Sequence, residues 1–255
     1  MKKKYICLGL VLLLVAGLNA IKYNNEYKKN IINDSRVVAV AEDDTLKNQL
    51  QEMIDKVSGV KDKYKYIETM KSTKNGIVVG YEYNISKYGI TEEAASYVLE
   101  KMIEDERVKM EKYTWFNNLD DVRQDAVINL AFNLGTFGFL KFKKTISHLE
   151  AGRYDSAYNS LLFTSRGTKT LYYRQVKGRA KEIAEQLKTG IAKEPLIPTL
   201  KRHEGFRVFP YKDTKGIWTV GYGINLENRG FNEEEALLLL AFGTLQNEEI
   251  LNHYV

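Results

Sequence analysis

Cysteine is nearly missing from this chain of 255 residues: the one thiol, Cys7, rules out an internal disulfide framework. It sits in the leading apolar run, so it is silent on redox compartment, and a catalytic thiol is not expected there. Histidine is scarce too. His148, His203 and His253 stand apart, with no spacing that suits a metal ion, so neither a metal nor any other cofactor is expected. Proline occurs three times, and long stretches rich in Ala, Leu, Glu and Lys then favour helix over sheet. Charge of one sign is also in short supply: 38 Lys and Arg against 33 Asp and Glu leave a net +5. That excess aids binding to an anionic polymer without selecting one. The Lys-rich stretch 61–74 belongs to no recognisable nucleic-acid module, so nucleic acid is not expected as a partner. Gly221-Tyr222-Gly223 is no phosphate loop; its glycines suit a tight hairpin.

What is present starts with Lys2-Lys3-Lys4, an apolar run from Tyr5 to about Ile21, and Leu18-Asn19-Ala20 near its end. Residues 1–21 therefore read as a signal peptide or a signal-anchor in the inner membrane. The run is short for a span of about 20 residues, and Gly9 and Gly17 weaken it. Either reading predicts an exported chain, periplasmic or elsewhere in the cell envelope, tethered or secreted. Residues 22–44 are polar and read as a tether.

The chain also repeats itself. Residues 73–99 match residues 214–240 under a shift of 141 with no gap: Thr73, Gly80, Tyr81, Asn84, Gly89, Glu92, Glu93 and Ala95 meet Thr214, Gly221, Tyr222, Asn225, Gly230, Glu233, Glu234 and Ala236. This is one supersecondary unit used twice. Only the second copy has the acids. Glu204, Asp213 and Thr219 stand where the first copy has Lys63, Ser72 and Val78.

Local signals divide the rest. Apolar residues at helical spacing predict a helix over 45–66. Ile77–Tyr83, β-branched and aromatic, predicts a hairpin, and Thr91 with Glu92 and Glu93 predicts the cap of a helix running to about Tyr113. Helices follow from Asp120, at 141–151, 153–163 and 170–189, the last stopped by Gly190. Then come a helix at 197–205, a hairpin at 207–226 and a helix at 232–253 with Asn232 as its cap. The expected segments are an acid-less copy at 45–114, a helical lobe at 115–190 and a catalytic lobe at 191–255.

Glycosidic cleavage needs one protonated carboxyl for the leaving oxygen and a second group across the sugar to stabilise positive charge or activate water. Glu204, among Leu200, Phe206 and Phe209 in sequence, and Asp213, among Lys212, Thr214 and Lys215, offer an apolar and a wet setting. By spacing alone such a pair is common on solvated surfaces. The flanking residues narrow it. His203-Glu204-Gly205-Phe206-Arg207, Pro210-Tyr211-Lys212-Asp213 and Gly216-Ile217-Trp218-Thr219-Val220-Gly221-Tyr222-Gly223 closely resemble the phage-type lysozymes of glycoside hydrolase family 24. The run 119–135 resembles that family's central helix, and Tyr173-Arg174-Gln175-Val176 with Gly178-Arg179-Ala180 resembles its terminal segment.

The resemblance implies an α+β, mainly helical lysozyme-like fold with a small β-hairpin lobe and a helical lobe. It implies a muramidase acting on peptidoglycan, with inversion, through Glu204 as general acid, Asp213 and Thr219. Tyr222, Trp218, Arg123 and Asn129 are the candidate substrate contacts. Three departures stand out. The acid-bearing lobe follows the helical lobe, as in a circular permutation. Ile224 stands where many members have His. Arg166-Gly167-Thr168-Lys169 replaces a Trp-containing stretch. The permuted order predicts that the Glu204 helix docks on the 115–190 helices, with the cleft between lobe and second copy, in a monomer. A phage endolysin is the natural setting and a bacterial wall enzyme the second. The rival class is a silent wall-binding or regulatory protein. His203 reads as an exposed residue at a helix end.

Overall fold

The computed structural model describes residues 67–246, with side chains through 243. The leader at 1–21, the tether at 22–44 and the helix expected over 45–66 lie outside the described residues, as do Cys7, Lys63, His253 and the end of the last expected helix. The fold is α+β and mainly helical. Among the described residues no helix is long and apolar enough to cross a membrane. The described residues form two compact units, one of residues 67–98 with 206–246 and the other of residues 99–205.

The first unit holds both copies of the repeat. Strands β1 (Ile67–Thr73), β2 (Gly76–Gly80) and β3 (Tyr83–Asn84) form an antiparallel sheet in that order, with Thr73 opposite Gly76 across a two-residue turn. The sheet starts ten residues ahead of the predicted Ile77, because β1, half exposed and poor in apolar side chains, gains its place from pairing with the buried β2. A helical turn, α1 (Ile85–Tyr88), is capped by Asn84, whose Oδ1 accepts from the Lys87 amide at 3.0 Å. Then α2 (Glu92–Met110) begins where expected. Thr91 Oγ1 accepts from the Ala94 amide at 3.2 Å, acids fill the first turn and Arg107 and Lys109 the last. Residues 92–98 of α2 belong to this unit and 99–110 to the other.

The second unit is a helical bundle: α3 (Thr114–Asn117), α4 (Asp121–Leu134), α5 (Thr136–Phe139), α6 (Lys143–Glu150), α7 (Tyr154–Leu162), α8 (Leu171–Val176), α9 (Gly178–Thr189) and α10 (Leu196–Glu204). Helix α4 is capped by Asp120, which accepts from the Arg123 amide at 2.9 Å. It is buried continuously from Ala126 to Ala131, and α9 and α10 pack on it. The core includes Phe116, Ile128, Leu130, Phe139, Leu161, Ile183, Leu187 and Leu200, each contributing about 1.5–3 kcal/mol on burial. The single helix predicted over 170–189 is two. Lys177 takes φ 44°, its amide closes α8 on the Tyr173 carbonyl at 3.0 Å, and α9 restarts at Gly178.

The second copy returns to the first unit. Strands β4 (Arg207–Lys212), β5 (Trp218–Gly221) and β6 (Ile224–Asn225) repeat the three-stranded sheet. Helix α11 (Glu233–Gln246) opens with a reciprocal cap. Asn232 Oδ1 accepts from the Glu235 amide at 2.8 Å, and Glu235 Oε2 accepts from the Asn232 amide at 3.0 Å. The buried Glu235 carboxylate also takes two bonds from Arg229, at 2.8 and 2.5 Å.

Candidate active site

Glu204 is the last residue of α10. The helix starts behind Pro195, tolerates Pro198 in its first turn and buries Thr199 and Leu200. Gly205 ends it at φ 69°. A carboxylate at a helix C-terminus meets the negative end of the dipole and needs a cation. Arg179, on α9, provides it: Nη1 donates to Glu204 Oε1 at 2.7 Å. The other face of the guanidinium is held by Asn129 of α4, whose Oδ1 accepts from Nε at 3.1 Å and from Nη2 at 2.8 Å. Asn129 and Arg179 are buried, while the Glu204 side chain keeps 22% exposure. Three helices thus converge on one carboxyl, and its second oxygen, Oε2, lies outside the pair.

A second network backs the first. Arg202 donates to Glu194 and to Glu182, each at 2.7 Å. His203 Nε2 lies 3.4 Å from Glu182 Oε2. His203 is half-buried rather than exposed as the sequence suggests. Burial, then the cations Arg179 and Arg202, hold its pKa below the usual histidine value against the opposing pull of Glu182 and Glu204.

Asp213 and Thr219 lie in the other unit, on the second hairpin. Asp213 follows β4 and organises the turn: Oδ1 accepts from the Lys215 amide at 2.8 Å and the Ile217 amide at 2.9 Å. Backbone bonds from Asp213 to Ile217 and from Gly216 to Asp213 close the loop. Both side-chain bonds engage Oδ1. Thr219 is buried in β5 opposite Tyr211 and Asn225, and its hydroxyl donates to the Ile217 carbonyl at 3.2 Å.

The expected substrate contacts divide. Trp218 is half-buried, with the Lys212 ammonium over its ring. Tyr222 is buried against Phe206, and its hydroxyl donates to Glu92 at 3.1 Å. Burial first, then the Glu92 carboxylate, pushes that hydroxyl up to about 12. Asn129 faces Arg179, as above. Arg123 lies at the far end of α9 from Arg179, about 12 Å along the axis. Its Nε donates to the Leu187 carbonyl at 2.8 Å and Nη2 to the Lys188 carbonyl at 3.0 Å, capping α9. It also bonds Asp120 and stacks on Tyr154.

The bundle unit therefore brings Asn129, Arg179 and Glu204 together, and the hairpin unit brings Asp213, Trp218, Thr219 and Tyr222 together. Arg179 as partner of the acid is not among the residues that the sequence points to. Its only signal was its place in the Gly178-Arg179-Ala180 segment. Among the described residues no three His, Cys, Asp or Glu side chains are grouped to hold a metal ion.

Residues 201–255 match the family model described as phage lysozyme, a stretch that includes Glu204, Asp213 and Thr219. Over 117 residues the chain is 29% identical to the pre-baseplate central spike protein Gp5 of Enterobacteria phage T4, covering 44% of this chain and 19% of that protein. The chain thus spans less than a fifth of that relative's length. The two matches make this chain similar to the phage lysozymes over residues 201–255 and to part of Gp5 over 117 residues.

Proposed function

We propose that this chain is a muramidase, hydrolysing the β-1,4 bond between N-acetylmuramic acid and N-acetylglucosamine in peptidoglycan. The observation that carries the reading is that the family match at 201–255 contains Glu204, Asp213 and Thr219 together. Glu204 donates a proton to the leaving glycosidic oxygen. Arg179 on Oε1 fixes the carboxyl and leaves Oε2 as the oxygen that delivers the proton. Asp213 keeps Oδ1 on the loop amides and turns Oδ2 to the attacking water or to the positive charge developing at the sugar. The Thr219 hydroxyl donates to Ile217 and accepts from that water, placing it for attack with inversion. Trp218 stacks on a sugar face. The Lys2–Ile21 leader takes the chain across or into the inner membrane, so the enzyme meets the wall from the envelope side, as a phage lysis protein does.

A silent wall-binding protein is the second reading, favoured by the loss of acids at Lys63, Ser72 and Val78 in the first copy. Turbidity clearing of permeabilised cells separates the two, with wild type compared to Glu204→Gln and both assayed for pelleting on wall sacculi. Clearing by wild type alone supports the muramidase. Equal clearing by both overturns Glu204 as the acid. Pelleting by both without clearing supports the silent binder.

A further inference from the structure

The two copies in the hairpin unit are joined by contacts that are images of one another under the 141-residue shift. Tyr81 donates to Glu233 Oε1 at 3.0 Å, and Tyr222 donates to Glu92 Oε1 at 3.1 Å. A Cβ placed on Gly80 would lie 2.5 Å from the Ala236 methyl, and one on Gly221 would lie 3.0 Å from the Ala95 methyl. Close approaches of Gly89 to the Val208 side chain of β4, where a Cβ would lie at 2.6 Å, and of Gly230 to the Glu68 carbonyl of β1, at 2.4 Å, correspond one residue off that shift. This is the pattern of an isologous interface, in which residue i meets j and j meets i, built inside one chain. Each hairpin lies against the opening turn of the other copy's helix. The Ile90 amide, just before α2, donates to the Val208 carbonyl at 2.8 Å and ties β4 to the same place.

The contacts are reciprocal but the chemistry is not. One hairpin carries Asp213 and Thr219, and the other carries Ser72 and Val78 at the matching positions. We infer that the acid-less copy has a role in the reaction: Glu92 and Ala95, at the start of α2, are the seat that positions the hairpin bearing Asp213 and Thr219. This rests on the muramidase reading. Tyr222 is three residues beyond Thr219, in the tight turn that follows β5, so the Tyr222 to Glu92 bond and the close Gly221 to Ala95 approach set where Thr219 stands. Glu92 acts through Tyr222, as a positioning residue. Glu233 and Ala236 do the same for the silent hairpin and serve as a built-in control.

The test uses the full chain, with Glu92→Ala, Glu92→Gln and Glu233→Ala compared in two measurements. In the first, release of new reducing ends from sacculi gives kcat and KM beside Tm. Glu92→Ala should lower kcat about tenfold to a hundredfold, as displacement of a reacting group by an ångström does, with KM little changed. Glu233→Ala, for a similar loss in Tm, should leave kcat near wild type. Glu92→Gln, which keeps an acceptor for Tyr222, should recover most of kcat. In the second, hydrogen exchange should show Glu92→Ala exposing amides of 207–221 and Glu233→Ala exposing amides of 67–80. Equal kcat losses at matched Tm, or a Glu92→Ala variant that leaves 207–221 protected, would overturn the inference. A wild type without hydrolytic activity would sink the muramidase reading alone, because the exchange pattern still decides whether Glu92 seats the hairpin.

Discussion

Arg179 grips Glu204 with one nitrogen and Asn129 with two others, so the proposed acid is aimed by a guanidinium that is itself aimed from the bundle core. Removing the middle member leaves a carboxylate at a helix C-terminus without its cation and a buried amide without its donors. Arg179→Ala should therefore cost about 3 kcal/mol of bundle stability, read by urea denaturation. Asn129→Leu, which orphans two N–H groups but keeps the ion pair, should cost about 2 kcal/mol. Both should lower sacculus hydrolysis, Arg179→Ala the more.

Asp213 offers a sharper separation of folding from chemistry. An Asn there presents the same Oδ1 to the Lys215 and Ile217 amides. Asp213→Asn should thus keep Tm within a degree or two of wild type while losing at least about a hundredfold in kcat. Asp213→Ala should lose both, because the turn has no acceptor. A calorimetric scan beside a reducing-end assay distinguishes the cases.

His203 predicts the acid limb of stability. Its folded pKa lies below the unfolded value near 6.5, chiefly through burial. Between the two values the unfolded chain binds more protons, so stability rises with pH there and falls as pH drops below about 6.5. His203→Gln should flatten Tm between pH 5 and 7 relative to wild type.

At the alkaline end the buried tyrosines take over. Tyr172 and Tyr222 are both pushed up to about 12 by burial, Tyr222 also by Glu92. The stability each contributes is complete below the unfolded value near 10 and is lost as pH climbs from there toward 12. Tyr222→Phe should remove part of that alkaline loss, measured as Tm between pH 9 and 11.

Gly190 closes α9 at φ 67°, and a Cβ there would lie 2.5 Å from Arg123 Nη1. Gly190→Ala should cost at least about 1–2 kcal/mol for the left-handed backbone. It should also free Arg123 from the α9 carbonyls, which a double mutant with Arg123→Ala would register as less than additive.

The repeat, the second hairpin, the β2 strand of the first and the capped starts of α2, α4 and α11 were legible in the sequence because each rests on local chemistry: a polar side-chain cap, acids in the first turn, β-branched runs between glycines. The break at Lys177 was not, since a lone Gly178 is equally compatible with a continuous helix and a lysine with positive φ leaves no mark on a periodicity. Nor was the choice of partner for each hairpin. Two copies with the same residues at the contact positions make the same local offers, and only long-range packing decides that Gly221 meets Ala95 and Gly80 meets Ala236. Arg179 could be placed near the family's terminal segment, but not on Glu204, because a partner 25 residues away leaves no local pattern.

The turn around Asp213 carries one more consequence. The oxygen that builds the loop and the oxygen assigned to the reaction belong to the same carboxyl, and an amide reproduces only the first. Aspartate and asparagine codons differ by one nucleotide. If the muramidase proposal holds, a lineage of such proteins stands a single point mutation from a folded variant without its cut, a short evolutionary path from enzyme to wall-recognition module.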